Sequence, residues 1–564
     1  MKNFLRSIYK RRYILAIFLF ILFCFFINAF HTQFPDEFDN IYGGFLINQG
    51  KLPYTGFFTH HNPGAYFLAS MITLFTGRSF VFFRVIFAFV LFGGYIASFF
   101  FLKKRLKIPL NFFLFYGVLI AIGATYWWGQ MLLSETIVGY LLVPVMLLII
   151  IKNLEKIKFD KTDLLVISIL TFFSLFTSLT FIYFIPIIDF LVIYFYLRDN
   201  PPFHFKKCIN PIIIFSLPYI LFFIYLVITS SVSEFYFASI YYNVAYYIYN
   251  FPQVAGYFSH HPARYAISIA RHTIDNFSVL LVQVSGFNFS YPLTISLALG
   301  NIAFLIYLLF KRQFVLVLLI LSMILYTNAR SEPLNIKETD FHATVYIMLT
   351  LVTTSFLFFR FKDELNKRLP YFEKLILSAV FLLTASYWFF FTIHLTNKFL
   401  DKFYNKFMGN EPLIYDRSQV APVINKIITQ NDYFWIGPFE LQELLFIKGK
   451  IASKYYWFLP ANSRDEKIKR EIIADFEKNR PKVIVFKKWW ANFGVKPEEF
   501  NTIIVNFLDK NYFQINDLKK EGMNIRFTAA PERDFDFETE LYFDKNRKEE
   551  IVKELFEKSL IEKI

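Results

Sequence analysis

The chain has 564 residues, 56% hydrophobic and only 18% charged, with a mean hydropathy of +0.42, whereas a water-soluble enzyme of this length would fall below zero on that scale. Its 77 Phe residues and 21% aromatic content exclude a disordered or low-complexity chain, and its many uninterrupted apolar runs point to the bilayer. The net charge of +15 is uneven, with 30 Lys/Arg against 17 Asp/Glu in residues 1–396 and 29 against 27 in the remainder, so the excess lies in the apolar part. Two cysteines, Cys24 and Cys208, offer no disulfide framework.

In chain order, the first apolar run, Tyr13 to Phe30, follows a basic stretch containing Lys2, Arg6, Lys10, Arg11 and Arg12. It lacks a small-x-small cleavage pattern and reads as an uncleaved signal anchor with its N-terminus in the cytoplasm. Ten further spans fall at about 78–102, 109–126, 135–151, 164–179, 181–197, 210–229, 291–310, 313–327, 342–359 and 371–396. Eleven crossings from the inside put 22 Lys/Arg in the cytoplasmic loops and six on the other side, counting Arg78. That asymmetry orients the chain and places residues 397–564 outside. It also removes nucleic acid as a partner, because the cations are scattered over short membrane-flanking loops.

Length accumulates on the outer side, in loops 31–77, 230–290 and 328–341 and in the tail. From about residue 400 the pattern changes to a small α/β domain. Strands are predicted at Tyr433 to Ile436, Val483 to Phe486, Tyr512 to Ile515 and Asn524 to Phe527, with helices over 416–429, 439–447, 463–478 and 496–509. A last helix carries Ile551, Val552, Leu555, Phe556 and Leu560 on one face, as a helix docking on its own domain does. No Gly-rich phosphate loop and no internal repeat is present. The expected fold is thus an α-helical polytopic membrane protein with a small C-terminal extracytoplasmic α/β domain, divided into residues 1–396 and 397–564.

The first outer loop opens with Asp36, Glu37 and Asp39, a few residues beyond the membrane exit. Segments 38–49 and 63–77 are apolar but too short to span, and read as helices in the interface, which holds the three acids near the headgroup plane. A carboxylate there can take the proton of an attacking hydroxyl or help hold a divalent ion beside a lipid phosphate, although acids at a membrane exit are otherwise simply solvated. His60, His61 and Asn62 can hydrogen-bond phosphate oxygens or sugar hydroxyls, or merely start a helix. Arg84 lies six residues beyond Arg78 in the second span, about 9 Å deeper if helical. A charge there either pairs with a first-loop acid, keeping that carboxylate ionised and fixed in direction, or snorkels to the interface.

The Asp-Glu pair just after the first span, the turn Gly50-Lys51-Leu52-Pro53-Tyr54 and the run from His60 to Phe67 leading into a second membrane-facing helix resemble the first loop of GT-C glycosyltransferases. The chain is most similar to the branch containing protein O-mannosyltransferases and aminoarabinose transferases. The likeness is strongest over residues 30–105 and elsewhere rests on architecture. The resemblance implies that Asp36 or Glu37 is the catalytic base, Asp36 being favoured, and that Glu135, at the outer turn between the third and fourth spans, is a second acid that orients the acceptor or shares a metal.

The middle outer loop offers Tyr241, Tyr242, Tyr246, Tyr247 and Tyr249, which suit an interfacial belt, and the cations His260, His261, Arg264, Arg271 and His272. The late loop adds Arg330, Lys337 and His342, similar to the Arg and His found there in related transferases. Arg and His can neutralise the charge that develops on a departing phosphate. Tyr455, Tyr456, Trp457, Trp489 and Trp490 in the tail can stack on sugars, anchor the tail to the membrane or fill a core. Asp189, in the sixth span towards its cytoplasmic end, is assigned to helix packing or a polar contact.

The expected activity is transfer of one sugar from a polyprenyl-phosphate donor to an extracytoplasmic glycan, lipid or protein acceptor in the plasma (inner) membrane, with inversion. No cofactor is required, and a divalent metal can take part. A lipid-linked polysaccharide polymerase or ligase, and a non-enzymatic transporter of lipid-linked glycan, are the alternatives.

Overall fold

The computed structural model describes residues 2–106, 108–201, 205–247, 262–285, 292–327, 341–365, 370–410, 414, 416, 418–488, 490–491, 494–526 and 536–563. Helices occupy every stretch predicted to span. They are α1 (Lys2–Asn28), then the short α2 (Pro35–Asn48) and α3 (Gly64–Thr76), α4 (Phe80–Arg105), α5 (Leu110–Gly123), α6 (Ser134–Leu154), α7 (Lys161–Thr177), α8 (Ile185–Asp199) and α9 (Phe205–Ile228). After a helical hook over 232–245 come α10 (Pro262–Ser285), α11 (Pro292–Phe310), α12 (Phe314–Tyr326), α13 (Thr344–Leu365) and α14 (Tyr371–Phe407).

Among the described residues, six helical stretches are long and apolar enough to cross a bilayer: Phe80–Arg105, Ser134–Leu154, Ile209–Ile228, Leu293–Phe310, Phe341–Phe361 and Tyr371–Phe407. Two of the predicted spans are shorter for a geometric reason. Helices of 14 and 13 residues, as in α5 and α12, rise about 20 Å against a hydrocarbon core of about 30 Å. Between α7 and α8 the chain forms a tight turn at Leu179–Tyr183, where the sequence pattern suggested two nearly continuous spans.

The helices α6, α11 and α13 form the middle of the bundle, whereas α9 and α14 keep most of their apolar surface outward, with Ile212, Leu221, Phe223 and Ile228 on α9 and Leu382 and Phe389 on α14 exposed. An apolar exterior over a packed interior is the inverse of a water-soluble bundle and matches a lipid solvent. A polar seam runs through the middle, where Asn301 Nδ2 donates to Tyr346 Oη (2.9 Å) and Thr350 Oγ1 (3.0 Å).

The two interface helices cross very closely because α2 presents Gly43 and Gly44 to α3. A Cβ on Gly44 would lie 2.5 Å from Ala69 Cβ and 2.6 Å from the Ser70 backbone nitrogen, neither of which can yield. Gly44→Ala is therefore expected to destabilise the α2–α3 pair by about 1–3 kcal/mol, read as a lowered unfolding midpoint in detergent. Gly93→Ala in α4, where a Cβ meets nothing within 4 Å, is the matched control and should leave the midpoint unchanged or raised.

At one end of the bundle the basic loops are knitted together. Arg105 donates to Asp160 (2.5 Å) and Asp163 (3.2 Å), Lys152 also reaches Asp163, Arg198 donates to Asn153 (3.1 Å) and Arg360 pairs with Glu155. The loops that share the positive charge in sequence thus share one end in space.

The C-terminal residues build a five-stranded mixed sheet of order β2-β1-β3-β6-β4 and a separate β5-β7 pair: β1 (Tyr433–Gly437), β2 (Lys450–Ile451), β3 (Val483–Phe486), β4 (Tyr512–Gln514), β5 (Met523–Ile525), β6 (Leu541–Asp544) and β7 (Ile561–Lys563). Strands β1, β2 and β3 are parallel, while β6 runs antiparallel to β3 and β4. Around them lie α15 (Ala421–Ile427), α16 (Leu441–Phe446), α17 (Glu466–Lys478), α18 (Thr502–Asn511) and α19 (Lys548–Glu557). The four predicted strands are present, and β2, β6 and β7 are additional short strands of two, four and three residues. The last helix, α19, buries Ile551 and Leu555 against this unit, as its pattern implied.

Candidate functional site

Helix α2 begins where Pro35 at its first turn presets the backbone, which places Asp36 and Glu37 at the positive end of the helix dipole. Successive side chains on a helix diverge by about 100°, so the two acids serve different surroundings. Glu37 points into the bundle. It pairs with Arg84 of α4, and its second oxygen accepts the Leu132 amide at 3.1 Å. Arg84 also donates to the carbonyls of Thr32 (2.8 Å) and His31 (3.3 Å) and lies over the Phe80 ring. With Glu37 at 0% and Arg84 at 1% exposure the pair is dry. Burial pushes the Glu37 carboxyl up, against the opposing pull of Arg84 and the Leu132 N–H. Asn40, one turn later, donates to the Leu132 carbonyl at 2.9 Å, so both backbone groups of Leu132 are tied to α2.

Asp36 is half-buried at the rim of this arrangement. Asp39 lies deeper, at 6% exposure, where one oxygen accepts Tyr66 Oη and the other Tyr456 Oη, both at 2.5 Å. Burial pushes its carboxyl up to about 6, with the two phenols opposing.

The end of the late loop reaches the same place. Phe341 stacks on Trp128 (5.8 Å between centroids) and meets Phe34 at 5.2 Å, while Phe34 and Trp128 are 4.7 Å apart. Thr344 fastens the contact by donating to the Trp127 carbonyl at 2.7 Å. His342 follows Phe341 in the chain and its ring lies 3.9 Å from that of Phe341. Glu135 is buried in the first turn of α6, three residues after Leu132. His60 is buried in a ring cluster with His61 (3.9 Å), Tyr247 (4.1 Å) and Trp457 (5.5 Å), and its carbonyl accepts Asn243 Nδ2 at 2.8 Å.

Other predicted residues are not gathered there. Arg264 and Arg271 stand on the exposed face of α10, with Arg271 65% exposed and 4.0 Å from Asp275, because α10 buries its other face on α11 and α12. Arg330, Lys337, His260 and His261 lie outside the described residues. Asp189 also needs correction. It sits one turn into α8, level with Thr171 near the end of α7, and thus towards the end of the bundle carrying α2 and α3, where Gly64 packs on Thr177. The span was drawn from residue 181, but the turn at 179–183 delays the helix and shifts Asp189 towards that end.

The sequence reading overlooked two neighbours of the site. His31 is buried beside Arg84, and burial together with Lys402, Lys406 and Arg84 brings its imidazole down to about 4. Lys402 comes from the far end of α14 and donates to the Thr125 carbonyl at 3.2 Å. The spacing of Lys398, Lys402 and Lys406, four apart on a helix, was the available signal. Among the described residues no group of three or more His, Cys, Asp or Glu side chains is placed to hold a metal ion.

Comparison with protein-family models, with curated proteins and with solved structures finds no match to the chain. The site's own chemistry is one acid at a rim, a second locked to an arginine, a third held by two phenols, and the end of the late loop packed through Phe341 against the start of α2.

Proposed function

We propose that the chain is a GT-C-type membrane glycosyltransferase with eleven crossings, its N-terminus cytoplasmic and its C-terminal unit extracytoplasmic. It moves one sugar from a polyprenyl-phosphate donor to a glycan, lipid or protein acceptor. The observation that carries this reading is the half-buried Asp36 on a helix clamped by Glu37 and Arg84, with Phe341, the neighbour of His342, packed on Phe34 just before that helix. Asp36 takes the proton of the acceptor hydroxyl as its oxygen bonds to the anomeric carbon. The bond from that carbon to the phosphate oxygen breaks on the opposite face, the electron pair leaves on the phosphate, and the configuration inverts. Arg84 is committed to Glu37, so neutralising the leaving phosphate falls to His342 and to Arg330 and Lys337 of the same loop.

Purified protein in lipid nanodiscs, supplied with undecaprenyl-phosphate-linked mannose or glucose and an acceptor extract, tests the reading. Transfer with inverted configuration is expected. Transfer with retention, or none from any polyprenyl-phosphate sugar, overturns it. His342→Ala is expected to lower kcat by about 100-fold, as loss of a group facing a developing negative charge does, with KM for the donor little changed.

A second reading, a transporter of lipid-linked glycan, draws on Asp189. One of its oxygens is buried without a hydrogen-bond partner, in an open groove of about 520 Å³ lined by Phe215, Ser216, Tyr219, Ile220 and Phe223. Translocation of a fluorescent polyprenyl-phosphate glycan across protein-containing vesicles, lost in Asp189→Asn, would favour it.

A further inference from the structure

Asp39 stands apart from the other two acids of the first loop. It is neither at the rim nor paired with a cation among the contacts it makes; it is buried and accepts one phenolic O–H group on each carboxylate oxygen. Tyr66 belongs to α3, and Thr59 lies 2.7 Å from its hydroxyl, which extends the chain of hydrogen bonds along the first loop. Tyr456 belongs to the C-terminal unit, 417 residues away in sequence, and its ring is wedged between Tyr42 of α2 (5.4 Å) and Phe57 (6.2 Å). The same unit grips the loop on every side: Phe58 N donates to the Lys454 carbonyl at 2.9 Å, Arg78 donates to the carbonyls of Leu445 and Ile447, and Gln33 donates to Gln442 at 3.1 Å. Of these contacts, Tyr456 to Asp39 is the one that reaches inside α2, a single turn from Asp36.

We infer that the C-terminal unit is a positioning element for α2: Tyr456, through Asp39 and Tyr66, forms a proton-linked latch that holds the helix carrying Asp36 in place. Its effect on turnover rests on the proposed role of Asp36; the latch itself does not. The groups on Asp39 are Tyr66 from α3 and Tyr456 from the C-terminal unit; behind them Thr59 meets the Tyr66 hydroxyl and Tyr42 packs on the Tyr456 ring. The sign of the proton linkage follows from burial. The carboxyl is held at about 6 when latched and returns towards 3.8 when α2 opens to water, so the latched form binds the proton more tightly. The latch is then firmest in acid and weakens as pH rises through about 6.

The test is hydrogen exchange on the full-length protein in nanodiscs, corrected for intrinsic pH dependence, beside turnover with undecaprenyl-phosphate-linked mannose or glucose. In wild type, protection of the amides of α2 should fall as pH rises through about 6, and Asp39→Asn should abolish that step. At pH 7, Tyr456→Phe should speed exchange in α2 about tenfold with α13 unchanged, and Tyr66→Phe should do the same if the first variant folds poorly. Both should lower kcat about tenfold with donor KM within about twofold. Unchanged α2 exchange in both variants overturns the latch, as does faster exchange with unchanged kcat for its positioning role. Faster exchange in a protein that transfers no sugar upholds the latch and sinks the proposed function instead.

Discussion

Asp36→Asn is expected to reduce sugar transfer by about 1,000-fold in kcat, while expression, membrane insertion and the unfolding midpoint stay close to wild type. Two features make the split between activity and stability a sharp expectation. First, Asp36 is half-buried at the start of α2, so its replacement by an isosteric amide leaves no dry charge behind. The amide also gives up the favourable interaction of a carboxylate with the positive end of the α2 dipole, about 0.3–1 kcal/mol. Second, an amide cannot accept the hydroxyl proton, so a general base is lost outright. The measurement is single-turnover transfer in nanodiscs alongside thermal unfolding. Full activity in Asp36→Asn would move the base to Glu37 or Asp39, and the engagement of both of those carboxylates makes that outcome chemically awkward.

Arg84→Met should act in the opposite sense, on folding before chemistry. Removing the guanidinium leaves Glu37 in a dry site with only the Leu132 amide, and breaking a buried pair by deleting one partner costs about 3–5 kcal/mol. The two carbonyls of His31 and Thr32 lose their donor in the same step. Reduced yield or a strongly lowered unfolding midpoint is expected for Arg84→Met. The double variant Glu37→Gln/Arg84→Met should recover part of the loss, because the uncompensated charge is gone. If the single and double variants unfold alike, the pair is not the clamp that fixes α2. A thermodynamic cycle over the four proteins gives the coupling directly.

The two results together separate the roles of adjacent acids that the sequence presents as a pair. As residues 36 and 37 they are equivalent in type and position. Only the direction each takes from the helix, and the arrival of Arg84 from α4 and Leu132 from the turn before α6, makes one a structural anchor and leaves the other at the rim. The pairing of Arg84 with a first-loop acid was legible, because a charge deep in an apolar helix needs a partner. Which acid it takes was not, since Glu37 and Asp36 differ by one residue along a helix whose orientation is set by packing. Likewise the value of Asp39 was invisible: its two phenols come from residues 27 and 417 positions away.

Local rules carried the placement of the helices, since apolar runs, Pro at helix starts and Gly at close crossings are short-range properties of the chain. The four strands of the C-terminal unit with clear apolar runs were legible for the same reason, while β2, β6 and β7 are defined by their pairing with β1, with β3 and β4, and with β5. By itself the sequence determined that this is a helical, lipid-compatible protein with a small α/β unit after about residue 400, and that three acids, Asp36, Glu37 and Asp39, follow the first apolar run. The tertiary structure alone decided which acid is buried, which is paired and which remains at the rim. It also separated His342, whose neighbour Phe341 packs on Phe34 just before α2, from Arg264 and Arg271, left on the outer face of α10. The physical reason is that hydrophobic patterning is written in neighbouring residues, whereas the pairing of buried charges is settled by which distant segments share a dry space.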